Sequence, residues 1–100
     1  RGASSDLDTT RAALEDQVTR AWVRIKAQEN ALAALADARD NYQVQLENIQ
    51  REYRIGTRRL SEVVQAAERY YSTASQEINL RYQYYNNLFI LRTTVLGVDG

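Results

Sequence analysis

The chain has 100 residues, 44% of them hydrophobic, with Gly 4, Pro 0 and Cys 0, a composition poor in turn-forming residues and typical of long helices. Lysine plus arginine number 13 and aspartate plus glutamate 13, so no net charge attracts nucleic acid or an anionic membrane to the whole chain. Histidine and cysteine are absent, which excludes the usual catalytic constellations; we expect no enzyme, no catalytic residue, no metal site and no cofactor. No apolar run approaches the roughly 20 residues of a membrane span, and Arg1–Ser5 lacks a signal-peptide pattern, so the sequence as given is expected to be soluble.

A heptad repeat of apolar residues runs through the first half of the chain. Two seven-residue series alternate in steps of three and four, and only Gln28 and Arg39 interrupt them: Leu7, Leu14, Ala21, Gln28, Leu35, Tyr42, Ile49 and Val18, Ile25, Leu32, Arg39, Leu46, Tyr53. A repeat of about six heptads exceeds the three or four that indicate a coiled coil. It predicts one helix from about Leu7 to Tyr53, roughly 70 Å long at about 1.5 Å per residue.

The repeat stops at Arg54–Thr57, where Gly56 can take the left-handed conformation that ends a helix and Thr57 is predicted to cap the next one. A second helix is predicted from about residue 57 to Leu96, ended by Gly97–Gly100, with a packing face at Leu60, Val64, Ala67, Tyr71, Ala74, Ile78, Arg81, Tyr85, Leu88, Arg92 and Val95. The predicted fold class is therefore all-α: a long antiparallel helical hairpin of coiled-coil type over residues 1–100, with its turn at 54–57.

Further small and apolar residues lie outside the predicted seam. Val63, Tyr70, Tyr84 and Leu91 form another seven-spaced line, and a cluster of alanines gives the first helix a narrow waist: Ala27, Ala31, Ala33, Ala34, Ala36 and Ala38. Helix propensity alone is an equal explanation for the alanines. Because two helices bury little apolar surface, we expect other chains or hairpins to cover the remainder. We expect the isolated chain to self-associate at high concentration or to be only partly helical when dilute.

The charged and aromatic residues indicate packing and interface roles, and they do not indicate a catalytic site. Asp37, Asp40, Glu47 and Glu52 alternate with basic residues, as on a solvated coiled-coil face, and the tyrosines that follow Arg81 are interpreted as packing residues. Four arginines crowd the turn, where a solvated surface has no need of them: Arg51, Arg54, Arg58 and Arg59. Pairing with carboxylates across an interface would use them.

The segment from Tyr53 to Ala66, with Gly56-Thr57-Arg58 at its centre, resembles the tip of the second periplasmic hairpin in TolC-family outer-membrane factors. The family pattern is Tyr, two residues, Gly-Thr-Arg, a hydrophobic residue, an acid, Val-Leu, a polar residue and Ala. Farther on, Arg81-Tyr82-Gln83-Tyr84 is similar to the family's Arg-Tyr-x-Tyr segment and Leu96-Gly97 to its Leu-Gly ending, at matching spacing. The resemblance covers most of the chain.

This resemblance implies a homotrimeric channel whose outer-membrane β-barrel continues into an α-helical tunnel, or α-barrel, across the periplasm. The chain would be a fragment of it, without the β-barrel and the first hairpin. The implied partners are a periplasmic adaptor protein and, through it, an inner-membrane transporter, in multidrug efflux or type I secretion.

By motif position, the resemblance implies that the tunnel entrance is gated by Tyr53, Arg58, Glu62 and Gln65, and that the adaptor docks at Gly56, Thr57, Arg58 and Leu60. Tyr53 and Arg58 would tie neighbouring hairpins together, while Glu62 would contribute to a carboxylate ring. Gln65 departs from the family, where an acid is frequent. Two alternatives remain: the helical hairpin of a periplasmic adaptor, which would carry a different tip pattern and lipoyl-like flanks, and an unrelated coiled-coil scaffold.

Overall fold

Two long helices make up the structure, a computed structural model that describes residues 2–99. Helix α1 spans Gly2–Arg54 and helix α2 spans Leu60–Asp99, and no strand occurs within this range. Proline is absent, so nothing removes a backbone donor along either helix. The predicted all-α helical hairpin is confirmed.

The helix ends differ from the predicted ones. α1 begins at Gly2 and not near Leu7, and α2 begins at Leu60 and not at Thr57. Gly97 was wrongly expected to end α2, which continues to Asp99 because a single glycine lowers helix propensity without breaking the hydrogen-bond ladder. Arg1 and Gly100, part of the predicted hairpin, lie outside the described residues.

The chain divides into two compact units. Residues 30–82, which include the turn, form the turn unit. In this unit the predicted seam residues of α1 face α2. All of them are buried or half-buried: Leu32, Leu35, Arg39, Tyr42, Leu46 and Ile49. Tyr53, the last residue of the predicted seam, is exposed. Contacts between Glu52 and Arg58 at the turn, and between Arg39 and Glu77 farther away, establish that the two helices run antiparallel.

The packing face of α2 in this unit is one residue out of register with the predicted one. Val63, Ala66, Tyr70, Thr73, Glu77 and Leu80 are buried or half-buried, again in alternating steps of three and four. Glu62 and two alanines of the predicted face, Ala67 and Ala74, are half-buried as well. The predicted seam residues Leu60, Val64, Tyr71 and Ile78 are exposed. The line containing Val63 and Tyr70, which the sequence placed on a second partner surface, is therefore the intramolecular seam.

A polar layer explains why the seam of α2 is hard to recognise. Glu77 is only 3% exposed and pairs with Arg39, the residue that interrupts the α1 heptads. Arg81 Nη2 lies 3.5 Å from the second carboxylate oxygen of Glu77, and no hydrogen bond within residues 2–99 reaches that oxygen. Hydrogen bonding to Asp40, together with the charge of Glu77, raises the pKa of Arg39, so its guanidinium stays charged. The two opposite charges therefore neutralise each other inside the seam.

The second unit, the terminal unit, comprises residues 2–29 and 83–99. Ile25 is its most buried side chain, at 1% exposure. A second polar pair replaces apolar packing here, because Asn87 Nδ2 donates to Gln28 Oε1 at 3.1 Å, and Gln28 is the other residue that interrupts the α1 heptads. An open, chiefly aliphatic cavity of about 510 Å³ is lined by Leu7, Thr10, Arg11, Leu14, Glu15, Val18 and Val95.

Tyr84 links the two helices of the terminal unit and makes its stability depend on pH. Its hydroxyl donates to Glu29 Oε1 at 2.9 Å, and this hydrogen bond, followed by burial and the charge of Glu29, raises the pKa of Tyr84 above 10.0. The stabilisation is complete below the pKa of an unfolded tyrosine, about 10, and is lost as pH rises through the higher folded value.

We therefore expect Tyr84→Phe to lower the melting temperature at pH 8, and the difference from wild type to shrink above about pH 10. Circular dichroism melts at several pH values measure it. Tyr53→Phe is the control, since the Tyr53 hydroxyl makes no hydrogen bond within residues 2–99. A Tyr84→Phe deficit that stays constant with pH would contradict the assignment.

Candidate docking and gate site at the hairpin turn

The turn is built around the one glycine of the described chain with a positive φ. Gly56 has φ +87°, and its amide donates to the carbonyl of Tyr53 at 3.0 Å, while the Thr57 amide donates to the carbonyl of Glu52 at 2.9 Å. These two bonds form a Schellman motif, which satisfies carbonyls left unpaired at a helix end. The sequence prediction that Gly56 ends the first helix is confirmed.

Thr57 acts on the opposite helix from the one predicted. Its hydroxyl donates to the carbonyl of Glu52 at 3.0 Å, so it completes the C-terminus of α1 and does not cap α2. The residue before α2 is Arg59, whose carbonyl accepts from the Glu62 amide at 3.1 Å. The prediction was wrong because the Schellman motif already uses the Thr57 amide, and two more residues are needed before the chain can enter α2.

Arg58 joins both sides of the turn. Its Nε lies 2.5 Å from Glu52 Oε2 at the end of α1, and its Nη1 lies 3.2 Å from Glu62 Oε2 in the first turn of α2. The hydrogen bond to Glu52, and then that to Glu62, raises the pKa of Arg58, so the group remains a cation at every workable pH. Two candidate gate residues, Arg58 and Glu62, are thus in contact, within one chain.

The other two candidate gate residues lie apart from this cluster. Tyr53 is 42% exposed and Gln65 is exposed, and neither side chain forms a hydrogen bond with any residue from 2 to 99. Of the predicted docking residues, Gly56, Thr57 and Leu60 are all exposed. They accompany a residue that the sequence analysis missed, Ile55, which is 72% exposed beside Gly56.

Glu52 is another residue of the turn whose contact the sequence analysis missed. Its alternation with basic residues indicated a solvated face, but the turn brings it back to Arg58. The sequence did hold a signal for this contact, because Glu52 and Arg58 lie six residues apart on either side of the predicted glycine turn. Arg54 and Arg59 have no carboxylate within 4 Å among residues 2–99, so they leave the turn with uncompensated positive charge around Ile55 and Leu60.

Gly56→Ala is expected to destabilise the chain by about 1 kcal/mol, since a side chain raises the energy of the left-handed backbone. No atom lies within 4 Å of the added methyl group, so crowding contributes nothing. Chemical denaturation measures the change, and Gly97→Ala is the matched control in a helical position with equally open surroundings. A loss at Gly56 no larger than at Gly97 would be inconsistent with the conformational argument.

Neither a metal nor a membrane site is evident in the described part of the chain. Among residues 5–97, whose side chains the structure describes, no group of three or more acidic residues is arranged to hold a metal ion. Neither α1 nor α2 has a stretch long and apolar enough to cross a bilayer. In comparisons with known proteins, no family model, no curated protein and no solved structure matches the chain.

Proposed function

We propose that this chain is the periplasmic helical hairpin of a TolC-like outer-membrane channel, and that the parent protein assembles as a homotrimer. In this role the hairpin forms part of the wall of an export tunnel, contributes to the tunnel's entrance gate and docks a periplasmic adaptor with its tip. The adaptor would connect the channel to an inner-membrane transporter for efflux or type I secretion. The chain works as a conduit and not as a catalyst.

The observation that carries the proposal is the position of Gly56-Thr57-Arg58. The motif lies at the turn between two long heptad helices, where Gly56 has the backbone conformation that favours glycine and Arg58 joins the two helix ends. The conformational demand accounts for the glycine, and the ion pairs account for the arginine. Thr57 also has a structural role, because its hydroxyl donates to the carbonyl of Glu52. The resemblance at the sequence level thus coincides with a structural role for each of its three residues.

The exposed apolar surface supports the assembly part of the proposal. In the turn unit, Tyr71 and Ile78 are each 64% exposed and Tyr82 is 76% exposed, all on α2. In the terminal unit, Phe89 is 68% exposed on the same helix. Large aromatic and aliphatic side chains in such numbers are typical of surfaces that become covered by other protein.

Membrane fractionation of the full-length parent protein tests the function. An integral outer-membrane protein that remains in the pellet after carbonate extraction, and that forms ion-conducting pores in planar bilayers, is the expected result. A parent protein recovered in the inner-membrane fraction with lipoyl-like domains would instead identify an adaptor. Recovery in the soluble cytoplasmic fraction would identify a coiled-coil scaffold, and either outcome would refute the channel.

A further inference from the structure

The turn unit carries an exposed apolar face that a second copy of the chain can cover. We define the outer face of α2 as Val64, Tyr71, Ile78 and Tyr82, which are between 47% and 76% exposed. Val64, Tyr71 and Ile78 each follow an inward seam residue of α2 by one position, so they repeat every seven residues. A face with this spacing is suited to pack against another helix.

A face of complementary size lies on α1 of the same unit. We define the alanine face as Ala31, Ala34 and Ala38, of which the first two are exposed and the third is half-buried. Each of these alanines precedes an inward seam residue of α1 by one position. Alanine side chains leave room for bulky neighbours and allow a close approach of the partner helix.

The two faces lie on opposite sides of the helix pair. One step back along α1 and one step forward along the antiparallel α2 are rotations in the same sense when viewed from one end. The inward directions of the two helices are opposite, so equal rotations carry the two faces to opposite sides of the plane that contains both helix axes. Copies can therefore add in one direction, each presenting its outer face to the alanine face of the next.

The two faces also match in height. Arg39 contacts Glu77 across the seam, and in antiparallel helices a residue earlier in α1 lies level with a residue correspondingly later in α2. This places Ala38 level with Ile78 and Ala34 level with Tyr82. Copies that point the same way at the same height would therefore set a large side chain against a small one at both levels.

Charge complementarity selects a second copy as the occupant. Asp37, beside the alanine face, is exposed and has no ion pair within residues 2–99, while Arg81, beside the outer face, has a side chain that is 53% exposed. In the same-height arrangement these residues fall on one edge of the contact, displaced by two residues, or about 3 Å along the axis. Arg81 keeps unused N–H donors, so it can pair with Asp37 and still contact Glu77.

We propose that the outer face of α2 in one copy packs against the alanine face of α1 in the next copy, head to tail and level. The inference goes beyond the proposed function, because it concerns contacts between copies of this hairpin and does not involve the first hairpin of the parent protein. Its contact is heterologous, so copies can add until a ring closes. Pairing of two outer faces with each other is the competing, two-fold arrangement.

Single cysteines introduced into the cysteine-free chain test the geometry. Ala34→Cys and Tyr82→Cys chains, one of them carrying a tag that changes its size, are mixed and oxidised at a concentration where the chain self-associates. The expected product is a disulfide between the two different chains, with little of either homodimer. The matched control replaces Tyr82→Cys by Glu68→Cys, an exposed position at another height of α2. The proposal would be overturned if the main product were a homodimer of Tyr82→Cys chains. It would also be overturned if the Glu68→Cys control gave the same yield of mixed disulfide.

Sedimentation supplies a second readout that avoids cysteine. Ala34→Leu fills the space opposite Tyr82 and should weaken self-association about tenfold or more, whereas Ala33→Leu, on a different exposed face of α1, should change it by less than about twofold. Equal effects of the two leucines, or a chain that stays monomeric at all accessible concentrations, would refute the interface. Neither experiment needs a membrane or a channel, so the interface can fail while fractionation still supports the channel, and the reverse.

Discussion

Arg39→Met is expected to lower the melting temperature of the chain by roughly 10 °C or more, because it leaves a buried carboxylate without its main partner. Glu77 is 3% exposed, and after the substitution only Arg81 remains near it, with Nη2 at 3.5 Å from its Oε2. A buried charge that loses its partner retains the full cost of desolvation. The loss should therefore come mainly from Glu77 and less from the truncated arginine. Thermal unfolding followed by circular dichroism measures it.

Two further variants separate a stranded charge from a simple loss of packing. The double variant Arg39→Met/Glu77→Leu removes both charges and should recover most of the lost stability, since an apolar pair of similar volume often replaces a buried ion pair without cost. Arg81→Met should cost less than Arg39→Met, because the Arg81 side chain is 53% exposed. If the double variant is as unstable as Arg39→Met, the explanation through Glu77 is wrong.

The seam of α1 could be predicted from the sequence, whereas the seam of α2 could not be predicted from apolar periodicity alone. On α1, apolar residues occupy nearly every inward position, and Ile25 and Leu46 are buried as expected. On α2, inward positions include Thr73 and Glu77, while larger apolar residues such as Ile78 lie outside. Periodicity finds the most apolar line of a helix, and on α2 that line is the one left uncovered by the intramolecular partner.

Pairing logic would have corrected the register. Arg39 and Gln28 interrupt the α1 repeat, and a buried polar residue requires a polar partner on the facing helix. Glu77 and Asn87 supply those partners, in the turn unit and the terminal unit respectively. Both belong to the inward seam of α2, so the interruptions in one helix indicated the register of the other.

The sequence predicted the part of the candidate site that depends on backbone conformation. It did not predict which side chains pair with each other. Gly56 is required by its positive φ, which a glycine at the end of a heptad repeat already suggested. The pairing of Arg58 with Glu52 depends on how the chain re-enters α2, which begins only at Leu60. The length of the connection between α1 and α2 cannot be derived from the spacing of residues in the sequence.

If the parent protein is the proposed channel, its conductance is expected to rise roughly two- to tenfold in the double variant Tyr53→Phe/Arg58→Ser, through a shift of the closed state toward open. In the proposed trimer these two side chains would tie each hairpin to its neighbour, so three sets of ties would be lost together. Tyr53 has a free hydroxyl for such a contact, since none of residues 2–99 bonds to it. Planar-bilayer recordings measure the change.

Arg58 has partners within its own chain, so the gate experiment needs a variant that separates the two roles. Glu52→Gln weakens the bond at Arg58 Nε but leaves Arg58 able to reach a neighbouring hairpin. If Arg58 closes the entrance through the neighbour, Glu52→Gln should leave conductance near wild type. If Arg58 only holds its own turn together, Glu52→Gln should open the channel part of the way toward the Arg58→Ser conductance, since Glu62 still bonds to Nη1. That result would refute the tie between hairpins.

Glu62→Gln completes the separation, because Glu62 both contacts Arg58 and would place three carboxylates around the entrance of the trimer. Removing negative charge from a narrow opening lowers its preference for cations without requiring the hairpins to move apart. We therefore expect a smaller shift in reversal potential under a salt gradient, at nearly unchanged conductance. A large rise in conductance would instead mean that the bond from Glu62 to Arg58 Nη1 holds the gate, and an unchanged reversal potential would eliminate the carboxylate ring.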